Sequence, residues 1–213
     1  MTAWLKRASR TEGKGTLLVQ RFVVLDTELT SLDHRTNRLL SIGAIAMRGT
    51  SIPLGEQFYR VVNPRVSIPQ ETVVIHKLRM QDVQVANPFE ETLDDFCKFI
   101  DTAVLVGHFV NIELKILNKE MATTGHKLEN VAIDTARVHQ WILRHGTYSE
   151  DLSMKLEQLD LPTVARFYSV EVDNLHHALA DAFLTARIWQ KMLYALEARG
   201  VDTLPEVLRI AGV

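Results

Sequence analysis

Phe22-Val23-Val24-Leu25 is a continuous apolar run, the pattern of a strand buried on both faces. A second run, Leu39 to Met47, follows a polar loop from Thr30 to Asn37, and Arg48-Gly49-Thr50 then supplies a turn. Glu56 to Val62 is rich in β-formers and stops at Asn63-Pro64, where a proline ends the pairing. Connections this short favour antiparallel neighbours, so the first third of the chain reads as a three-strand antiparallel meander.

The period then changes. After Pro88, Phe89, Leu93, Phe96 and Ile100 fall at i, i+4, i+7 and i+11 with acids between them, the stripe of an amphipathic helix facing a core. Ala103 to Gly107 is short, wholly apolar and flanked by helical patterns, as a central parallel strand requires. A helix from about Val110 to Thr124 ends at Gly125, and Val131 to Ile133 forms a short strand before Asp134, which can cap a helix running to His145-Gly146. Leu152, Leu156 and Leu159 mark a further helix closed by Pro162, with Asn174 a turn or cap residue before the last long helix. That helix spans about Ala178 to Arg199 and buries Leu179, Phe183, Ala186, Trp189, Leu193 and Leu196, with Gly200 as its stop. A meander followed by alternating helix and strand implies an α/β domain, a mixed sheet with helices on its faces. It runs over residues 20–200. Residues 1–19 form a basic extension that is either a flexible arm or packed on the surface, and 201–213 a tail whose Leu204, Val207, Leu208 and Ile210 suit a short helix.

Composition narrows the function. The 213 residues are 46% hydrophobic and 23% charged, ordinary for one globular domain. A net charge of −2 gives no overall basic field for a long stretch of nucleic acid. The single Cys97 excludes an internal disulfide and a cysteine-based zinc site. No run approaches the roughly 20 apolar residues of a membrane span, and the amino terminus lacks a signal-peptide core. The expected location is cytoplasmic, although a basic, nearly acid-free leader also suits an organellar transit peptide.

Asp26-Thr27-Glu28 leaves the first strand with two carboxylates. Positions i and i+2 of a strand share a face, so Asp26 and Glu28 can converge on one cation while Thr27 turns away. Taken alone, the pattern also fits a strand end with solvated acids. Farther on, Glu113 lies in the first turns of the helix after the central strand, within Val106-Gly107-His108-Phe109-Val110-Asn111-Ile112-Glu113. Near the carboxyl end come His176-His177-Ala178-Leu179-Ala180-Asp181. Five helical residues amount to about 140° of rotation, so His176 must precede the helix if it shares a site with Asp181.

This set, Asp26-x-Glu28, Glu113 and His176-x-x-x-x-Asp181 in that order, resembles the DEDDh 3′-to-5′ exonucleases in their DnaQ-like branch, related to the DNA polymerase III epsilon subunit. Ile75-His76-Lys77-Leu78 is similar to the family's V/I-H-G-I segment, and Ile133-Asp134-Thr135 to its I-D-T strand end. The likeness covers about residues 20 to 198 and implies a ribonuclease-H-like fold. It also implies hydrolysis of phosphodiesters at single-stranded 3′ ends, with DNA favoured over RNA, using two divalent ions, Mg2+ or Mn2+. On that analogy Asp26 bridges both ions, Glu28 and Asp181 complete the set, Glu113 reaches them directly or through water, and His176 is the general base. Leu29 and Thr30 meet the terminal nucleotide, Ile75 and His76 pack under its base or sugar, and His108 with Ile112 lines the pocket. A polymerase subunit is an implied partner.

Two departures matter. The family usually has Asp at the position of Glu113 and His-Asn at His108-Phe109. The longer acid displaces its carboxylate by about 1.5 Å, which is absorbed if a water intervenes and weakens the second metal if contact is direct. These departures motivate an alternative, a catalytically weak nucleic-acid-binding or polymerase-associated subunit on the same fold. Against it, packing so many acids beside a polyanion gains nothing unless metals neutralise them.

Overall fold

The computed structural model describes residues 16–213 apart from Leu32, His34, 147–157 and Asn174. The basic leader up to residue 15, the expected helix around Leu152 and Leu156, and the Asn174 cap therefore lie outside the described residues.

The expected meander consists of β1 (Arg21–Leu29), β2 (Leu39–Arg48) and β3 (Gln57–Val61), with β1–β2 and β2–β3 both antiparallel. Two parallel strands, β4 (Val104–Gly107) and β5 (Ala132–Asp134), join on the other side of β1, giving the order β3-β2-β1-β4-β5. β1 is thus the central strand, flanked by hydrogen bonds on both edges. The helices are α1 (Gln70–His76), α2 (Met80–Gln84), α3 (Phe89–Ile100), α4 (Asn111–Met121), α5 (Thr135–Arg144), α6 (Leu161–Phe167), α7 (Ala178–Glu197) and α8 (Leu204–Ala211).

The alternation along β1 divides the core into two layers. Phe22 and Val24 face α5, α6, α7 and α8, packing with Ile45, Met47, Val106 and Trp189. Val23 and Leu25 face α3 and α4, packing with Ile42, Phe58, Leu93, Phe96 and Leu117. Trp189, fully buried on α7, meets Phe22 edge-on at 5.4 Å between ring centroids. The same alternation carries Asp26 and Glu28 onto the α7 face at the carboxyl end of the strand.

Two local readings change, and the short helix expected in the tail forms. Pro162 opens a helix and does not close one: it occupies the first turn of α6, where no backbone N–H is needed, and the Asp160 side chain caps it by accepting from Thr163 N at 3.0 Å. The short helices α1 and α2, between Pro69 and Val85, have too few turns to show a period in the sequence. Residues 201–213 are built into the domain. The capping box of Thr203 and Glu206 starts α8, Leu204, Val207 and Ala211 join the α7-side core, and Gly212 bridges Ile133 on the outer edge of β5.

Candidate active site

The carboxyl ends of β1 and β4 and the amino ends of α4 and α7 meet at one edge of the sheet. Asp26 and Glu28 of β1 and Asp181, in the first turn of α7, each offer a carboxylate oxygen, and these atoms lie within 4.8 Å of one another. Three elements make this meeting possible. The β1 spacing aims two acids at one face. α7 lies across that face. Gly43 on β2, directly opposite Asp26 in the antiparallel ladder, lets the start of α7 come down onto the sheet: a β-carbon there would stand 2.2 Å from the Ala178 carbonyl carbon and the Leu179 nitrogen.

His176 occupies the bend before α7 with φ 66, as the rotation argument requires, and its side chain is exposed. Its backbone N–H donates to Asp181 Oδ2 at 2.8 Å, which fixes the carboxylate and the loop to each other. His177 is the N-cap of α7, and its ring stacks on Tyr59 of β3 with centroids 4.7 Å apart. The base candidate is thereby held from both sides along the chain.

Glu113 comes from the other layer. α4 packs on the α3 side of the sheet, and its first turn brings Glu113, 6% exposed, over the strand ends near Asp26 but outside the three-acid ring. Asp134 stands beside it. Its Oδ1 accepts from Ala136 N at 2.9 Å, capping α5, and from Phe109 N at 3.2 Å, so one carboxylate organises the starts of two helices.

The electrostatics are those of crowded, buried acids. Burial, followed by the charges of Glu113, Asp181 and Glu28, pushes the Asp26 carboxyl well above its ordinary value. Burial and then Asp181 push Glu28 up to about 7. Glu113 is pushed up to about 8, first by burial and then by Asp134, with a backbone hydrogen bond opposing. Burial raises Asp181 against the pull of the His176 N–H and of the two histidines. Glu113 Oε2 and Asp181 Oδ1 are buried with no hydrogen-bond partner among the described residues. Oxygen-only donors, clustered and with two buried oxygens left without a hydrogen-bond partner, fit a hard divalent cation, which is what would relieve both defects.

Other expected residues distribute unevenly. Leu29 is half-buried at the end of β1, and Thr30 is buried and engaged in the turn, its N–H donating to Arg38 O at 2.9 Å and its hydroxyl accepting from Arg38 N at 2.9 Å. Ile75 and Ile112 are exposed, while His76 is buried and accepts from Leu78 N at 3.1 Å through Nδ1. The ring of His108 is turned into the protein: Nε2 donates to the Leu159 carbonyl at 2.6 Å, and Nδ1 meets the Thr135 hydroxyl at 2.9 Å. His108 thus ties the loop before α6 to the strand ends and leaves no ring nitrogen free.

Sequence reasoning missed Gly43, the second role of Asp134, and a half-buried ion pair. Arg38, after the loop that follows β1, contacts Glu120 of α4 through Nε at 2.9 Å and Nη2 at 3.1 Å, and Lys119 Nζ donates to Asn37 O at 2.8 Å. This clamps the loop downstream of Glu28 to the helix that bears Glu113. A glycine inside a buried, largely apolar strand was the available signal for Gly43; nothing in the local pattern announced the pair 82 residues apart.

Comparison with known proteins agrees with this geometry. The RNase_T family model, described as Exonuclease, matches residues 23–189. The DNA polymerase III subunit epsilon of Rickettsia conorii is 32% identical over 183 residues, covering 81% of this chain and 74% of that protein. The PolC-type DNA polymerase III of Caldanaerobacter subterraneus is 30% identical over 186 residues, and there the chain spans only 12% of the relative's length. Among solved structures, the nuclease domain of 3′hExo, a DEDDh family member bound to rAMP, has a TM-score of 0.69 at 13% identity, covering 83% of this chain and 92% of that one. Exonuclease X in complex with 5′ overhanging duplex DNA has 0.66 at 15%, covering 89% and 98%. With the family match running from the first core strand into the last long helix, the chain belongs to the exonuclease family and is related to the DNA polymerase III epsilon subunit.

Proposed function

We propose that this protein is a metal-dependent exonuclease that removes nucleoside 5′-monophosphates one at a time from single-stranded 3′ ends, DNA in preference to RNA. The observation that carries the reading is the convergence of Asp26, Glu28 and Asp181 within 4.8 Å beside an exposed histidine. Asp26, Glu28 and Asp181 would hold two divalent ions, magnesium or manganese, with Glu113 completing the set directly or through water. Bound there, such ions lower the pKa of the attacking water and offset charge on the phosphoryl oxygens and the leaving 3′-oxygen.

The chain's own residues do the rest. His176 takes the proton from the attacking water, a role suited to an imidazole near neutrality and to a side chain that remains solvent-accessible. Its position follows from the Asp181 hydrogen bond and the His177–Tyr59 stack, so the base moves with the ligand helix. Leu29 and Thr30 meet the terminal nucleotide at the end of β1, with Thr30 fixed by Arg38. Ile75 and His76 would pack under the nucleotide's base or sugar and Ile112 would line the pocket, while His108 acts by holding the Leu159 loop. Kinship with epsilon subunits supports a polymerase as partner, and no described helix is long and apolar enough to cross a membrane.

The test is release of mononucleotides from a 5′-labelled single-stranded DNA and a matched RNA, in magnesium and in manganese, with Asp26→Ala as control. A ladder shortening from the 3′ end that disappears in the variant is the expected result. Intact substrate in both metals would reject the reading.

A further inference from the structure

Lys77 sits where glycine is the residue of least strain. It is the C-cap of α1, at φ 61 and ψ 6, with its N–H donating to Val73 O at 2.9 Å. A left-handed cap is ordinarily glycine because a β-carbon is disfavoured there. The chain thus holds a strained lysine where glycine would be relaxed. Strain retained beside a functional site calls for a local reason.

The surroundings supply one. Lys77 lines a cavity of about 570 Å³ together with His76, His176, His177, Gln57 and Phe183, so the cavity reaches the proposed base. Among the described lining residues it is the only Lys or Arg. Its side chain is exposed, and no described carboxylate pairs with its ammonium. Its neighbour His76 is 4% exposed, and its Nε2 has no partner among the described residues. With a net charge of −2 overall, a polyanionic substrate must find its cations locally.

We propose that Lys77 is a substrate-binding residue whose ammonium contacts a backbone phosphate of the nucleic acid as it enters the site past His176. This rests on reading the chain as an exonuclease on nucleic-acid 3′ ends.

Steady-state cleavage of a single-stranded oligonucleotide between 50 and 200 mM NaCl tests it, using wild type, Lys77→Gly, Lys77→Met and Lys77→Arg. Loss of one phosphate contact flattens the slope of log(kcat/KM) against log[NaCl] by about 0.7. Lys77→Met and Lys77→Gly are expected to show that flattening, with KM raised about 2- to 5-fold at the lowest salt and kcat within about twofold, the scale of an exposed ion pair. Lys77→Arg retains the wild-type slope. Lys77→Gly also melts a few degrees higher than wild type as the backbone strain is released, so affinity falls while stability rises. Unchanged KM and slope in Lys77→Met, with cleavage intact, overturns the proposal and leaves the exonuclease reading standing. A wild type that binds labelled oligonucleotide without cutting it, with a salt slope of binding that flattens in Lys77→Met, supports the contact and sinks the catalytic reading. Absence of binding by every variant overturns both.

Discussion

The Ala178 carbonyl carbon lies over the α-carbon of Gly43 so closely that a β-carbon would approach it to 2.2 Å. Gly43 pairs with Asp26 across the β1–β2 ladder, and Ala178 begins the helix that carries Asp181. The distance between strand acids and helix acid is therefore set by a residue that carries no functional group.

Gly43→Ala accordingly separates the two. The clash is with backbone, so the start of α7 must shift, at a cost of about 1–3 kcal/mol in stability. A displacement near 1 Å at a reacting centre costs on the order of 100-fold in rate. Activity is expected to fall by about that factor in a protein that still unfolds cooperatively. Activity within a few-fold of wild type would show that the close approach is dispensable.

Asp26→Asn should separate stability from function in the opposite way. Burial and then Glu113, Asp181 and Glu28 push the Asp26 carboxyl up, so replacing it with a neutral amide removes a costly buried acid, and the metal-free variant is expected to melt a few degrees above wild type. The stabilisation that magnesium or manganese confers on wild type should vanish, with activity down by more than about 100-fold, the upper range for residues that only support a metal ligand. Thermal scans with and without chelator decide it; a variant still stabilised by metal places the cation elsewhere.

Glu113 carries one methylene more than the usual aspartate and approaches from the opposite layer. A metal with softer geometric demands should suffer less from that displacement. Wild type is expected to work faster in manganese than in magnesium, and Glu113→Asp to gain in magnesium. Rates of both proteins in both metals test this, and no magnesium gain in the variant counts against it.

His139 is buried on α5, its Nδ1 3.2 Å from the Tyr168 hydroxyl and its ring edge-on to Phe167. Burial, followed by the nearby His108, holds its pKa down to about 4, against about 6.5 in an unfolded chain. The unfolded state binds more protons between these values, so His139 contributes stability that is present above about pH 6.5 and is lost as pH falls towards 4. The loss is at most about 3 kcal/mol, reduced by whatever water reaches the ring. Urea unfolding of wild type and His139→Gln at pH 7.5 and 5 should show a smaller pH dependence in the variant; equal dependence would clear His139 of the effect.

The sequence by itself determined the strands of the meander, the central parallel strand, the pair Asp26 and Glu28, and the chain order of the remaining acids. Each of these is a consequence of short-range geometry. A strand repeats every two residues, so a D-x-E shares a face wherever it occurs, and a helix turns 100° per residue, so His176 had to precede the helix of Asp181. What lies between layers was decided only by the tertiary structure. Whether Glu113 joins the three-acid ring depends on how α4 sits against the strand ends, and whether His108 faces substrate or protein depends on Thr135 and Leu159, 27 and 51 residues away. Arg38 finds Glu120 across 82 residues, and Gly43 matters only because α7 descends on it. Such contacts are selected by close packing of whole elements, which leaves no periodic trace in the residues that make them.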